Sequence, residues 1–196
     1  HTNIDIPQLL GLEPLEVERG ENYVSCAIRK DSGDDPDATN GVLVYARVEK
    51  TDTADIEICG GVGVGRVTQP GLSCAMGGPA INPTPRKMII AELTKVMEQN
   101  NYHGGLKVTI SIPAGVEIAK KTFNPRLGIV GGLSVLGTSG IVEPMSERAL
   151  VETIHVELNI QKAKGNKNLL VFFGNYGEDF TRDVLQLDIS NRVTCS

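Results

Sequence analysis

Two short glycine turns in this chain are candidates for binding a ligand. They are Gly137-Thr138-Ser139-Gly140 and Gly174-Asn175-Tyr176-Gly177, and each follows an apolar run and precedes a predicted helix. In doubly wound parallel sheets, ligands bind outside the carboxyl ends of the strands, close to helix amino termini. Two such turns at one edge of a sheet would form a cleft floor of backbone amides.

Other glycines suggest close backbone packing. Gly128, Gly131 and Gly132 lie just upstream of the first turn. Glycine in a strand indicates a bulge, a bend or the approach of another group to the main chain. A buried, bulged strand is the simplest interpretation, and ligand contact is the alternative. The run from Gly60 to Gly65 has G-x-G-x-G spacing rather than the dinucleotide-binding G-x-G-x-x-G, so it favours a glycine hairpin, whose amides could still bind an anion.

Charged residues cluster in two places. The loop Asp31 to Asn40 carries four aspartates: Asp31, Asp34, Asp35 and Asp37. They could bind a hard cation, form a solvated acidic turn, or contact a cation or ribose hydroxyls of a ligand. They do not form an EF-hand loop, because Pro36 stands where that loop needs glycine. Six basic residues lie near the glycine turns: Arg66, Arg86, Lys87, Lys120, Lys121 and Arg126. Such residues would suit a polyanionic ligand, although most basic residues are ordinary surface residues.

Composition excludes several classes of protein. A net charge of -5, a pI of about 5.3 and the absence of Trp argue against nucleic-acid binding. No run approaches the roughly 20 apolar residues of a membrane span, and the amino terminus lacks a signal-peptide pattern. The 4 cysteines form no CxxC and the 3 histidines are scattered, so no metal site and no Ser-His-Asp triad is predicted. Unpaired thiols indicate a reducing, cytoplasmic location.

The first part of the chain has the pattern of an α+β unit. Asn22 to Lys30 and Val42 to Lys50 alternate apolar and polar residues, as paired strands do. A helix is predicted from an N-cap at Thr84, with Pro85 first, to about Asn100. Leu106 to Ile112 and Val116 to Lys121 resemble the two arms of a hairpin.

From Arg126 onward the order is strand, helix, strand, helix and an incipient strand, which predicts a parallel sheet. Leu127 to Leu136 is the first strand, and Ser146 caps the following helix. Asn168 to Phe173 is an apolar run typical of a strand buried on both faces. Phe180, Val184 and Leu187 are predicted to face inward from the last helix. The expected fold is an α+β domain, residues 1–123, followed by a partial Rossmann-like α/β domain with a mainly parallel sheet, residues 124–196.

Five ordered blocks of this sequence resemble the CbiD family. They are DSGDDPDATNG, GGVGVGRVTQPGL, PAINPTPRKMI, KKTFNPRLGIVGGLSVLGTSGIVEPMS and FFGNYGEDF, and the resemblance covers roughly Lys30 to Ser196. It implies S-adenosylmethionine-dependent methylation of C1 of cobalt-precorrin-5B in anaerobic cobalamin biosynthesis. Family members have further segments at both ends, so we expect this chain to correspond to the middle of such a protein.

The resemblance also gives the residue patterns above an interpretation. S-adenosylmethionine is expected at Thr138, Ser139 and Gly140, at Gly174 to Gly177, and at Asp34 and Asp35. The cobalt-corrinoid substrate, which carries many carboxylates, is expected at Lys120, Lys121 and Arg126. Methyl transfer needs alignment rather than a nucleophilic side chain, so no catalytic residue and no protein-bound metal is assigned. A non-catalytic tetrapyrrole or nucleotide carrier is the alternative function, and the protein could act alone or as a homodimer.

Overall fold

A computed structural model describes residues 11–33, 38–122, 124–137 and 147–195. The strands are β1 Leu15–Arg19, β2 Tyr23–Arg29, β3 Leu43–Thr51, β4 Ile56–Gly60, β5 Gly63–Val64, β6 Arg66–Val67, β7 Gly105–Ser111, β8 Ile129–Val130, β9 Gly132–Leu133, β10 Leu170–Phe173 and β11 Arg192–Cys195. The helices are α1 Pro83–Gln99, α2 Gly115–Ile118, α3 Glu147–Ala163 and α4 Asn175–Asp183, and a 3-10 turn, Ala119–Lys121, extends α2. The chain is therefore a mixed α/β protein.

A five-stranded sheet in the order β1-β2-β3-β7-β4 forms the first part of the structure. Its neighbours are antiparallel except β4 and β7, which are parallel. The pairing predicted from alternation between residues 22–30 and 42–50 is confirmed by β2 and β3. Alternation specifies this register because a slip of one residue would turn the apolar side chains out of the core.

The core lies on one face of this sheet. Val108 and Ile110 of β7 are buried with Ile58 of β4, and Ile89 and Leu93 of α1 pack against them. The predicted helix is confirmed, but it begins at Pro83 with Asn82 at the N-cap rather than at Thr84. Pro83 already has the fixed φ that suits a first helical position.

The hairpin predicted from Leu106 to Lys121 is wrong. Its first arm is β7, but residues 115–121 are helical, and the amide of Ile118 donates to the carbonyl of Ala114 over 3.1 Å. The run V-E-I-A-K alternates like a strand, yet Gly115 and Ala119, four residues apart, are the buried residues. Such a short run fits either period.

The predicted glycine hairpin at residues 60–65 and the single strand at Leu127 to Leu136 are also wrong. Strand β4 stays in the large sheet, whereas β5 pairs in parallel with β9 and β6 pairs antiparallel with β8. Gly131, with φ of 79°, separates β8 from β9. These pairs join the two parts of the chain, and a domain boundary near residue 123 stays a prediction.

Parallel pairing after α3 is confirmed for β10 and β11. The burial predicted for β10 and for the last helix is not confirmed. Val171 in β10 is half exposed while Phe172 is buried, and Phe180, Val184 and Leu187 are exposed. The faces of a sheet are buried by the elements that pack on them, and the described residues leave Val171 and these three side chains uncovered. Helix α3 begins at Glu147, directly after the predicted cap at Ser146, which lies outside the described residues. None of the helices described is long and apolar enough to cross a bilayer.

Candidate functional site

Glycines from three parts of the sequence pack against each other and form a scaffold, which we call the glycine layer: Gly63, Gly115 and Gly132. In the β5–β9 pair, Gly63 lies opposite Gly132. A Cβ on Gly132 would overlap the carbonyl group of Gly63, and one on Gly115 would lie 2.5 Å from that carbonyl oxygen. Since these contacts are with backbone atoms, no side-chain movement can relieve them. The glycines at these positions therefore allow the main chains to approach each other.

A tight turn, residues 124–128, projects from the glycine layer. The backbone carbonyl of Asn124 accepts a hydrogen bond from the Ile129 amide over 2.9 Å, and Asn124 Nδ2 donates to the Gly132 carbonyl over 3.2 Å. The Thr68 hydroxyl donates to the Gly128 carbonyl over 2.8 Å. Gly128 has φ of 72°, a conformation that favours glycine. These bonds hold the turn that carries Arg126.

Arg126 lies at the rim of a cavity of about 160 Å³ between this turn, the last two turns of α3 and the start of β11. The polar residues that line the cavity come from all three elements: Arg126, Glu157, Gln161, Lys164, Ser190 and Arg192. Arg192 opens β11 and Ser190 precedes it, so the cavity lies at the amino ends of the parallel pair. A concave site where several elements converge is the usual setting of a binding site.

A buried carboxylate pairs with the two arginines that line this cavity. Glu178 of α4 is 6% exposed, and its Oε1 accepts Arg192 Nε over 2.9 Å. Arg126 Nη2 lies 3.9 Å from the same oxygen. A buried carboxylate is stable only when it is paired and hydrogen-bonded, so this pairing fixes the orientation of Arg192.

Gln161 fixes the wall of the cavity. It is buried, it donates to the Arg192 carbonyl over 3.0 Å, and its own oxygen accepts Asn166 Nδ2 over 2.7 Å. Ser190 donates its hydroxyl and its amide to Asp188 over 2.9 Å each. The hydrogen bond from the Ser190 backbone amide, and to a smaller extent the one from its hydroxyl, lowers the pKa of the Asp188 carboxyl. Helix α3 and strand β11 are thereby held in one arrangement.

The predicted cofactor turns are only partly within the described residues. Gly174 directly follows β10 with φ of 76° and caps α4, and Tyr176 is 94% exposed. A Cβ on Gly177 would lie 3.2 Å from the Phe172 ring, so this glycine also serves packing. The predicted residues Thr138, Ser139, Gly140, Asp34 and Asp35 lie outside the described residues, so their contacts with a cofactor stay predictions.

The predicted substrate residues are not all brought together. Lys120 is exposed and its ammonium pairs with Glu117 over 2.6 Å, while Lys121 is exposed on the same short turn. Neither lines the cavity at Arg126. Lys164, Glu178 and Arg192 were missed by the sequence reasoning. Glu178 follows a glycine turn that was recognised, but nothing in the sequence distinguishes Lys164 from nearby surface lysines.

The acidic loop adjoins a second cavity, of about 440 Å³, lined by Asn40, Gly41, Tyr45, Pro113 and Ile118 among others. Within the loop, the Ser32 amide donates to Asn40 Oδ1 over 3.0 Å. A hydrogen bond to Glu16 raises the pKa of Tyr45. No group of three His, Cys, Asp or Glu side chains able to hold a metal ion occurs in the described ranges.

Comparison with known proteins identifies the family. The family model CbiD matches residues 2–144. A "Cobalt-precorrin-5B C(1)-methyltransferase" from Ruminiclostridium cellulolyticum is 53% identical over 187 residues, which cover 95% of this chain and 48% of that protein. The chain belongs to the CbiD family. Another CbiD relative with the same name, from Thermoanaerobacter sp., is 53% identical over 90% of this chain and 48% of its own.

This CbiD chain spans about half the length of the curated relatives it matches. A crystal structure of the cobalamin biosynthesis protein CbiD from Archaeoglobus fulgidus is 23% identical, with a TM-score of 0.48 over 92% of this chain and 62% of that one. The family predicted from the sequence is confirmed by the family model and by the two curated relatives.

Proposed function

We propose that this protein transfers the methyl group of S-adenosylmethionine to C1 of cobalt-precorrin-5B in cobalamin biosynthesis. The observation that carries the proposal is the 53% identity to a protein of that name across 95% of the chain. An alignment over 95% of the chain takes in the glycine layer and the 124–128 turn. The cobalt belongs to the substrate in this reaction, so a protein-bound metal is not required.

The chemistry suits the side chains that are present. The substrate carbon attacks the sulfonium methyl group in line, the carbon–sulfur bond breaks, and its electron pair leaves with the thioether sulfur. Such a displacement depends on the alignment of the two reactants rather than on a side-chain nucleophile. The protein contributes binding surfaces held rigidly, which the glycine layer and the 124–128 turn supply.

The adenosyl cofactor is proposed to lie over Thr138 to Gly140 and Gly174 to Gly177, with Asp34 and Asp35 directed at its ribose or amino group. Parallel pairing of β10 with β11 and the positive φ of Gly174 support a Rossmann-like edge here. Replacing both aspartates by Asn is expected to weaken S-adenosylhomocysteine binding. Asp52→Asn, at an exposed acid elsewhere, is the matched control. Unchanged affinity in the double variant would remove the loop from the cofactor site.

Substrate carboxylates are proposed to contact Lys120, Lys121 and Arg126. All three side chains are exposed. The whole chain carries a net charge of -5, which repels a polyanion at long range, so attraction has to come from local cations. Screening by salt should therefore weaken substrate binding measurably.

Calorimetry with S-adenosylhomocysteine tests the proposal. A methyltransferase has to bind this product, and we expect saturable heat at micromolar ligand. A tetrapyrrole carrier would bind a corrinoid and give no heat with S-adenosylhomocysteine. That second result would replace the methyltransferase proposal with the carrier function.

A further inference from the structure

Lys164 is a cation in the cavity at Arg126 that no proposed role has yet used. It lies at the carboxyl end of α3, and its side chain lines the cavity together with those of Arg126 and Arg192. Among the described residues its ammonium makes no ion pair or hydrogen bond, although its backbone amide continues the helix by bonding Ile160. Three cations thus surround one small cavity in a chain whose net charge is negative.

The carboxylates near the cavity already have partners. Glu178 accepts a hydrogen bond from Arg192 and lies within ion-pair distance of Arg126, and Glu157 also has an interaction partner. Arg192 is held by Glu178 and by the Ile189 carbonyl, which accepts Nη1 over 3.3 Å. The cavity therefore combines fixed positive charge with an ammonium that can still take a carboxylate. Charge-assisted hydrogen bonds of this kind are stronger than neutral ones.

The position of the cavity favours the substrate over the cofactor. It lies at the amino ends of β10 and β11, whereas the proposed cofactor edge lies beyond their carboxyl ends. Strands of this length separate the two edges by about 10 Å, at roughly 3.3 Å per residue. A tetrapyrrole macrocycle with carboxylate side chains at its periphery can span such a distance. Binding at a part of the substrate remote from the reacting carbon can also contribute to catalysis by orienting it.

We propose that this cavity binds one peripheral carboxylate of the tetrapyrrole, with Lys164 and Arg192 acting beside Arg126. This inference rests on the proposed function. Lys164 and Arg192 are binding residues in this account, and neither touches the reacting carbon.

A pair of corrinoids tests the proposal directly. Dicyanocobyrinic acid has free peripheral carboxylates, and dicyanocobinamide carries amides in their place on the same ring. We expect the protein to bind the acid at least about tenfold more tightly, in keeping with the strength of hydrogen bonds to charged groups. Lys164→Met should weaken binding of the acid by about tenfold and leave cobinamide binding unchanged. Lys164→Arg should restore most of the affinity.

Lys162→Met is the matched control, because Lys162 is an exposed lysine on the same helix that does not line the cavity. The proposal is overturned if Lys162→Met weakens binding of the acid as much as Lys164→Met does. It is overturned if Lys164→Met leaves the affinity for the acid unchanged, or changes the affinity for both corrinoids alike. It is also overturned if the protein binds neither corrinoid. It is also overturned if Lys164→Met weakens S-adenosylhomocysteine instead, since the cavity would then hold the cofactor's carboxylate.

Failure of this subsite and failure of the proposed function give different results. Equal affinity for the acid and the amide, combined with methyl transfer, would reject the subsite alone. A carboxylate preference that depends on Lys164, without S-adenosylhomocysteine binding, would reject the methyltransferase function and retain the subsite.

Discussion

Gly132→Ala tests whether the glycine layer is a structural requirement. The added Cβ would overlap the Gly63 carbonyl group and lie 2.7 Å from the carbonyl carbon of Val64, where ordinary contact begins at 3.4 Å. Overpacking of a well-packed core costs about 1–3 kcal/mol. We expect the upper end, about 3 kcal/mol, because both obstructing groups are backbone of a paired strand and cannot change rotamer.

Urea denaturation followed by circular dichroism measures this cost. The neighbouring substitution Gly131→Ala is the control, because its Cβ would meet nothing within 4 Å and only its φ of 79° is unfavourable. That strain is worth about 1–2 kcal/mol. At roughly 2–4 °C per kcal/mol for a chain of this size, Gly132→Ala should lower the Tm by about 6–12 °C.

A contrary result has a clear meaning. If Gly132→Ala is no less stable than Gly131→Ala, the β5–β9 backbones are not packed as described. If it keeps full stability but loses corrinoid or S-adenosylhomocysteine binding, Gly132 serves a ligand rather than the fold.

Three further results are expected. Asn124→Ala should lower the free energy of unfolding, measured in urea, by about 1–2 kcal/mol, because it removes the side-chain hydrogen bonds that Asn124 makes with Gly132 and Ser134. No change would show that the turn needs no such bonds. Arg192→Met should cost about 3 kcal/mol, because it leaves Glu178 buried without its nearest cation. Adding Glu178→Gln should recover most of that loss in a double-mutant cycle, and additive losses would contradict the coupling. The pKa of Asp188 is lowered in the folded state, so its contribution to stability is present above its ordinary pKa of about 3.9 and is lost as the pH falls through the lowered value. Asp188→Ala should therefore differ from the unmodified protein at pH 7 and converge with it in acid, and a difference that persists in acid would refute this linkage.

The parts of the fold that sequence predicts well are those in which side chains report burial. Strands β2 and β3 alternate because one face of their sheet is covered, and α1 combines an apolar stripe with a proline at its start. Residues 115–121 were mispredicted because a short alternating run also fits a helical turn. The periodicity around Phe180 predicted burial, but the described residues do not cover that face of α4.

The glycine pairs show a different kind of limit. Gly63 and Gly132 have no side chain, so no pattern of apolar residues indicates that β5 pairs with β9. Gly128, Gly131 and Gly132 were predicted to allow a bulge or the approach of another group, and Gly60 to Gly65 was predicted to form a hairpin. The sequence did not indicate that these two glycine blocks pack against each other. The candidate site has the same limit. Arg126 was identified from its proximity to a glycine turn, whereas Lys164 and Arg192 reach the cavity only through tertiary packing.

The central claim, methyl transfer to a corrinoid, is tested most directly with S-adenosylmethionine that carries an isotope-labelled methyl group. The protein is incubated with this cofactor and cobalt-precorrin-5B, and the corrinoid is examined by mass spectrometry and NMR. The account predicts one labelled methyl group on C1 and an equal amount of S-adenosylhomocysteine. A corrinoid that is bound by the protein and recovered without label would contradict it.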